Sequence, residues 1–291
     1  MTLRVQVRFF ANDQLSPCDD PEIANVIKTE FCSPWLIWGT DKVGPYLRAF
    51  ETGAGCAMRL HFSLTWAQAR KHDYFILTPK HVIRETDNVY QANNDYADSL
   101  PDHHVTEFGN FKVRDKLFVD KIKPYDNRIW SMEYCEGFIA REPIIAETLA
   151  RFSGAHEAEV LHCRTREVVP DWAAFYSETW LPRLVQDQTT FSKRAQKNDF
   201  IDTNGLYAAR TEDLEGMPDI FREPQVYNSF GDSTYIVSKP VMEYWYEQGI
   251  KSFYLQPLLI KNTAPYAAYL ELWRDMESAL SANPNNKIAW L

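Results

Sequence analysis

The sequence predicts an α+β protein of mixed sheets with packed helices, and three observations carry that prediction. A strand-like run, a capped helical stretch, a glycine and a second strand-like run occur twice, as "GFIAREPIIAETLARFSGAHEAEVL" and "TYIVSKPVMEYWYEQGIKSFYLQPL". Residues 24–70 hold only short apolar runs, broken by Gly39, Gly44, Gly53 and Gly55, as strands separated by turns would. An amphipathic stretch from Ala264 to Leu280 has the spacing of a helix. With 291 residues, 45% of them hydrophobic, the chain is long enough to bury a sizeable core.

The first element is "LRVQVRFF", where Leu3, Val5, Val7 and Phe9 alternate with Arg4, Gln6 and Arg8 in the period of a half-buried strand. That pattern differs from a charged region followed by a long apolar core, so no signal peptide is expected, and the predicted location is cytoplasmic. "SPWLIWGT" and "AMRLHFSLTW" are the next strands. "YFILTPKHVI" reads as a strand running into a helix capped by Thr78 and Pro79, a degenerate third copy of the repeated unit. From Glu85 to Glu107 there are six acids and no Lys or Arg, which predicts a loop or ragged helix with a negative face.

The repeated unit aligns at a constant offset. Phe138-Ile139-Ala140-Arg141-Glu142-Pro143 matches Tyr235-Ile236-Val237-Ser238-Lys239-Pro240, 97 residues on. The helix that follows puts Ile144, Ile145, Leu149 and Phe152 on one stripe in the first copy, and Val241, Tyr244, Trp245 and Gln248 in the second. Gly154 and Gly249 then stop the helices, and "AEVLHC" and "FYLQPLLI" supply the closing strands. One such block cannot bury both its faces, so two copies predict a shared core. Between the copies, "DWAAFYSETWLP" places Trp172, Phe175, Tyr176 and Trp180 near helical spacing. The last helix, capped by Thr263, is expected to pack across the second unit, and the division into domains is placed at residues 1–125 and 126–291.

The motifs of the second unit resemble those of a bacterial immunity-protein family of polymorphic-toxin systems, the eleventh immunity group, formerly a domain of unknown function. The matching residues are Ile220-Phe221-Arg222, Ile236-Val237-Ser238 and the run from Gly249-Ile250 to Pro257-Leu258. The likeness spans residues 130–260, with the first unit as the looser earlier copy, and does not reach residues 1–70. A related group with paired CxxCG motifs does not fit, because this chain has no CxxC. The resemblance implies a protein without catalytic activity or cofactor that binds and neutralises a cognate toxin.

Charge and composition agree with a protein partner. The formal net charge of −9 disfavours nucleic acid, whose phosphates need clustered cations, and suits a toxin with a basic surface. The small basic cluster of Lys193, Arg194 and Lys197 is offset by Asp199 and Asp202. No stretch approaches the apolar length of a membrane span. Asp95, Asp98 and Asp102 in "NNDYADSLPDHH" are the first candidates for the toxin-binding surface, with Trp172, Trp180 and Tyr246 as aromatic anchors. His103 and His104 could join the same acids around a metal, but adjacent histidines on an extended segment point opposite ways, so no metal is expected.

The competing reading is an enzyme, hydrolase or transferase, with its site among Cys56, His61 and His81. No G-x-S-x-G elbow, P-loop or dinucleotide fingerprint accompanies those residues. The five cysteines form no zinc pattern and no disulfide scaffold, and none is expected to be catalytic.

Overall fold

The computed structural model describes residues 3–11, 33–51, 55–83, 86–100, 111–112, 114–122, 127–132, 135–185, 207–223 and 235–290. Within them it has the predicted α+β architecture, with helices packed on mixed sheets. The first sheet begins with β1 (Val5–Ala11), β2 (Leu36–Ile37) and β3 (Cys56–Phe62), all antiparallel to their neighbours. Its fourth strand is β18 (Lys287–Trp290), which returns from the far end of the chain to pair parallel with β3.

Alternation along these strands buries Val5, Val7, Phe9, Cys56, Met58, Leu60 and Phe62 on one face. That face is covered by α1 (Gly44–Ala49) and by the long α7 (Ala264–Leu280), whose Tyr266, Tyr269, Trp273, Met276 and Leu280 join the same core. The α7 bounds and its Thr263 cap match the sequence expectation, with the Thr263 hydroxyl accepting from the Tyr266 amide at 3.5 Å. Its docking does not. The helix lies on the N-terminal sheet rather than on the second repeat unit, because β18 must follow it back to β3.

Both repeat units form, and each takes in an extra strand. In the first, β10 (Phe138–Arg141) leads into α4 (Glu142–Arg151) and then β11 (His156–His162). In the second, β15 (Tyr235–Ser238) leads into α6 (Lys239–Glu247) and β16 (Phe253–Pro257). In neither do the two strands touch. An antiparallel strand separates them: β12 (Val168–Tyr176) in the first and β4 (Tyr74–Pro79) in the second. The geometry favours this split arrangement, since a helix about 10 Å across spans two strand spacings of about 4.8 Å and can sit over the middle strand.

Residues 74–79 are therefore the centre of the second unit and not a third copy, and Thr78 and Pro79 end a strand rather than cap a helix. Likewise Trp172, Phe175 and Tyr176 lie on β12, where strand alternation replaces the helical spacing read from the sequence. Each unit also carries an antiparallel strand beside its first strand, β8 (Trp130–Met132) against β10 and β14 (Ile220–Arg222) against β15. The first unit's sheet extends further through β5 (Val82–Ile83), parallel to β8, and β7 (Lys116–Val119), parallel to β11.

The two units pack around an approximate two-fold axis, and equivalent residues meet each other there. The Trp245 indole N–H donates to the Thr148 hydroxyl at 3.0 Å, and the Tyr244 hydroxyl donates to Glu147 at 2.5 Å, both across a separation of 97 residues. Phe138 meets its counterpart Tyr235 edge to face at 5.0 Å. Away from the axis each unit also donates a backbone amide to the other. The Ile129 amide donates to the Ser252 hydroxyl, and the Ile220 amide donates to the Ser153 carbonyl.

Asp219 adds a pin between the units, accepting from the Ser153 amide and hydroxyl and from the Ser238 hydroxyl. Burial pushes its carboxyl upward, but these three hydrogen bonds outweigh that and hold it below the usual carboxylate range. The shared core of both units includes Phe75, Leu77, Phe138, Ile145, Phe175, Tyr235, Val237, Trp245 and Phe253.

Two measurements probe this axis. Thr148→Val leaves the buried Trp245 indole N–H without an acceptor and is expected to cost about 1–3 kcal/mol in urea unfolding, with most of that loss absent in a Trp245→Phe background. Full additivity of the two changes would show that the pair does not couple the units. The equivalent stop glycines differ in their surroundings. Both have positive φ, but a Cβ at Gly154 would fall 2.3 Å from the Ile220 carbonyl oxygen, whereas nothing lies within 4 Å of one at Gly249. Gly249→Ala should therefore cost about 1–2 kcal/mol for its backbone alone, and Gly154→Ala distinctly more. Equal losses in thermal melts would remove the asymmetry.

Candidate interaction surface

Within the acidic segment, residues 87–99 form a regular helix, α3 (Asp87–Ser99), where a loop or ragged helix was expected; Glu85 and residues 101–107 lie outside the described residues. Asp87 in its first turn favours the positive end of the helix dipole. Val89, Ala92, Asn93 and Ala97 form its buried face, which packs on Leu117, Phe118 and Val119 of β7. Asn93 is the one polar member of that stripe. Its amide nitrogen donates to the Phe118 carbonyl at 3.1 Å and its amide oxygen accepts the Phe118 N–H at 3.0 Å. A side chain thus pairs with the outer edge of β7 as a neighbouring strand would, closing that edge and locking the helix to it. Tyr96 adds a hydrogen bond to Asp115 and an edge-on contact with Phe118.

The outer face of α3 presents Asp87, Asp95 and Asp98 to solvent, with exposed Tyr90 beside them. Neutral donors hold two of the carboxylates in place. Gln91 donates to Asp95 at 2.7 Å and Asn94 donates to Asp98 at 3.1 Å. Because those partners carry no charge, the carboxylates are oriented without being neutralised. The surface is regular in structure, anionic and carries an aromatic ring.

None of the three aromatic residues expected at the interface, Trp172, Trp180 and Tyr246, is on α3. Asp102, His103 and His104 fall outside the described residues, as do Lys193, Arg194 and Lys197. Trp172 is only 8% exposed, packs in the core on the same side of the first unit's sheet as α3, and has the Arg141 guanidinium over its ring, so it offers no surface anchor. Trp180 is half-buried and its ring carries the buried Arg222 guanidinium at 4.1 Å, with Tyr235 on that guanidinium too. Tyr246 stacks on Trp66 at 4.3 Å. These rings build the fold at three separate places. The motif arginine, Arg222, is likewise a core residue and not a surface one.

Cys56, His61 and His81 do not converge. Cys56 and His61 are an odd number of residues apart on β3, so the thiol points into the core while the imidazole lies on the opposite face. Burial pushes the Cys56 thiol up to about 12, which leaves essentially no thiolate at neutral pH. His81 packs on Trp130, and burial followed by the neighbouring Arg128 and Lys80 holds it below its ordinary value.

Comparison with known protein families finds no match, and none is found among curated proteins. No helix among the described residues is long and apolar enough to cross a membrane. Asn93 was missed in the sequence reading, although an Asn at the i+4 position between Val89 and Ala97 on an otherwise apolar stripe is a visible signal of a buried, fully paired amide.

The Cys56 geometry sets a chemical expectation. In native protein at pH 8, iodoacetamide should leave Cys56 unmodified in peptide mapping and label it only after unfolding. Rapid native labelling would contradict a buried thiol held near its protonated form.

Proposed function

We propose that this chain is an immunity protein that binds a cognate toxin and blocks its active site or its access to substrate, without catalysis and without a cofactor. The observation that carries the reading is the outer face of α3, a preformed row of exposed acids that have no ion-pair partner among the described residues, on a helix held by Asn93 on the sheet edge. Such a face needs little ordering on binding, so its charge goes into speeding encounter and selecting a basic partner. The resemblance of Ile220-Phe221-Arg222 and Ile236-Val237-Ser238 to an immunity family supports the same reading, as does the use of these residues as paired strands rather than as reactive groups. The proposed location is the cytoplasm, where a toxin made by the same cell or a sibling would act.

The experiment is co-expression with the product of the adjacent open reading frame, followed by isothermal titration. One-to-one binding that suppresses the neighbour's toxicity is expected, and Asp95→Lys with Asp98→Lys should weaken it by at least about tenfold with the melting temperature retained. Binding that survives the charge reversal would remove α3 from the interface. A neighbour that neither binds nor is neutralised would end the immunity reading.

A further inference from the structure

The face of the first sheet turned away from its core has the opposite character from α3. Arg8 and Arg59 lie directly across from each other on β1 and β3, and both guanidiniums stand over the Phe10 ring, at 5.4 and 4.4 Å. Two like charges in register cost stability. Neither is relieved by a carboxylate among the described residues; the one hydrogen bond at the pair is from Arg8 Nε to the Ser33 carbonyl, at 2.8 Å.

From this pair a row of aromatic rings crosses to the second unit. Arg8 stands over Trp35, Trp35 meets His61 at 5.8 Å, His61 meets Tyr254 of β16 edge-on at 4.7 Å, and Lys80 stands over Tyr254 at 5.4 Å. Trp35 and Tyr254 are 36% and 40% exposed, two of the most exposed large apolar side chains among the described residues.

The local field is positive. His61 sits below its ordinary value through burial and then Lys80, and Lys80 sits below its own through burial and then Lys251. No carboxylate contributes to either shift.

We infer that this cationic, aromatic face is a second docking surface whose occupant is an acidic segment of a protein. Charge complementarity selects an anion: guanidiniums with no carboxylate partner among the described residues offer bidentate sites for carboxylates. Exposed Trp and Tyr between cations are the residue types that carry binding energy at protein interfaces. The ring geometry favours a polypeptide over a nucleic acid, because tilts of 56° and 83° present edges rather than a platform of parallel faces for stacked bases. The chain's net charge of −9 also repels an extended polyanion, while a short acidic segment meets only the local field. This inference stands apart from the α3 reading, since it names a partner surface of the opposite sign.

The test uses a short fluorescein-labelled peptide of Glu-Glu-Leu repeats, and an oligothymidylate of matched charge, in anisotropy titrations at low salt. The peptide should bind the intact chain and weaken as salt rises. Arg8→Gln with Arg59→Gln, and separately Trp35→Ala with Tyr254→Ala, should each reduce affinity by about tenfold or more, while Asp95→Asn with Asp98→Asn should not reduce it. Arg59→Gln relieves the opposed charges, so its melting temperature should equal or exceed the parent's, which separates loss of binding from loss of fold. Absence of peptide binding, or binding indifferent to both substitution pairs, overturns the inference. Tighter binding of the oligothymidylate, lost with the same substitutions, overturns it in favour of a nucleic-acid surface.

Discussion

The shared core of the two repeat units depends on the contact between α4 and α6. Trp245 is essentially fully buried and its indole N–H needs an acceptor, which Thr148 supplies from the equivalent position of the other unit. Neither helix could bury its apolar stripe on its own sheet alone while satisfying that group. The bonds from the Ile129 amide to the Ser252 hydroxyl and from the Ile220 amide to the Ser153 carbonyl tie the same two units together. Duplication therefore yields one core with two-fold character, not two adjacent modules. The fully buried positions keep Ile145, Val241 and Trp245 of the expected stripes and add Thr148 and Met242, while Ile144, Leu149, Phe152 and Tyr244 are only partly buried against the same core.

That dependence explains which parts of the fold were legible in the sequence. The repeat, its glycine stops and α7 with its Thr263 cap could all be read, because each is written in local chemistry with a fixed period. The middle strands could not. β12 follows its unit whereas β4 precedes the second unit by well over a hundred residues, and no local pattern states which distant strand will be inserted. Strand alternation in "DWAAFY" was hidden because both faces of β12 are buried, Trp172 and Ala174 on one side and Ala173 and Phe175 on the other. The docking of α7 was misassigned for a related reason: its partner sheet is closed by β18, and a four-residue strand at the end of a chain carries little signal.

The candidate surfaces were legible to the extent that charge is a property of sequence. Of the six acids without a base over Glu85 to Glu107, the described ones, Asp87, Asp95 and Asp98, lie exposed on α3, and the structure adds what docks that helix, the pairing of Asn93 with the open edge of β7. Aromatic content was a poorer guide. Trp172 and Trp180 were singled out for size and spacing, yet each is held in the fold with a guanidinium over its ring, the partly exposed Arg141 on Trp172 and the buried Arg222 on Trp180.

The positive face escaped notice because it is assembled from alternate residues of separate strands. Arg4, Gln6 and Arg8 were read as the polar side of an amphipathic strand, Arg59 as part of the strand "AMRLHFSLTW", and His61 only as a member of a possible enzyme site with Cys56 and His81. Only registration of β1 against β3 puts Arg8 opposite Arg59, and only the approach of β16 brings Tyr254 to His61. A net charge of −9 describes the chain as seen from beyond the reach of screening, roughly 8–10 Å in physiological salt. At contact distance the partner meets the local arrangement instead. A total charge therefore sets solubility and long-range approach, while the chemistry of a docked partner follows from which residues the sheets bring into register.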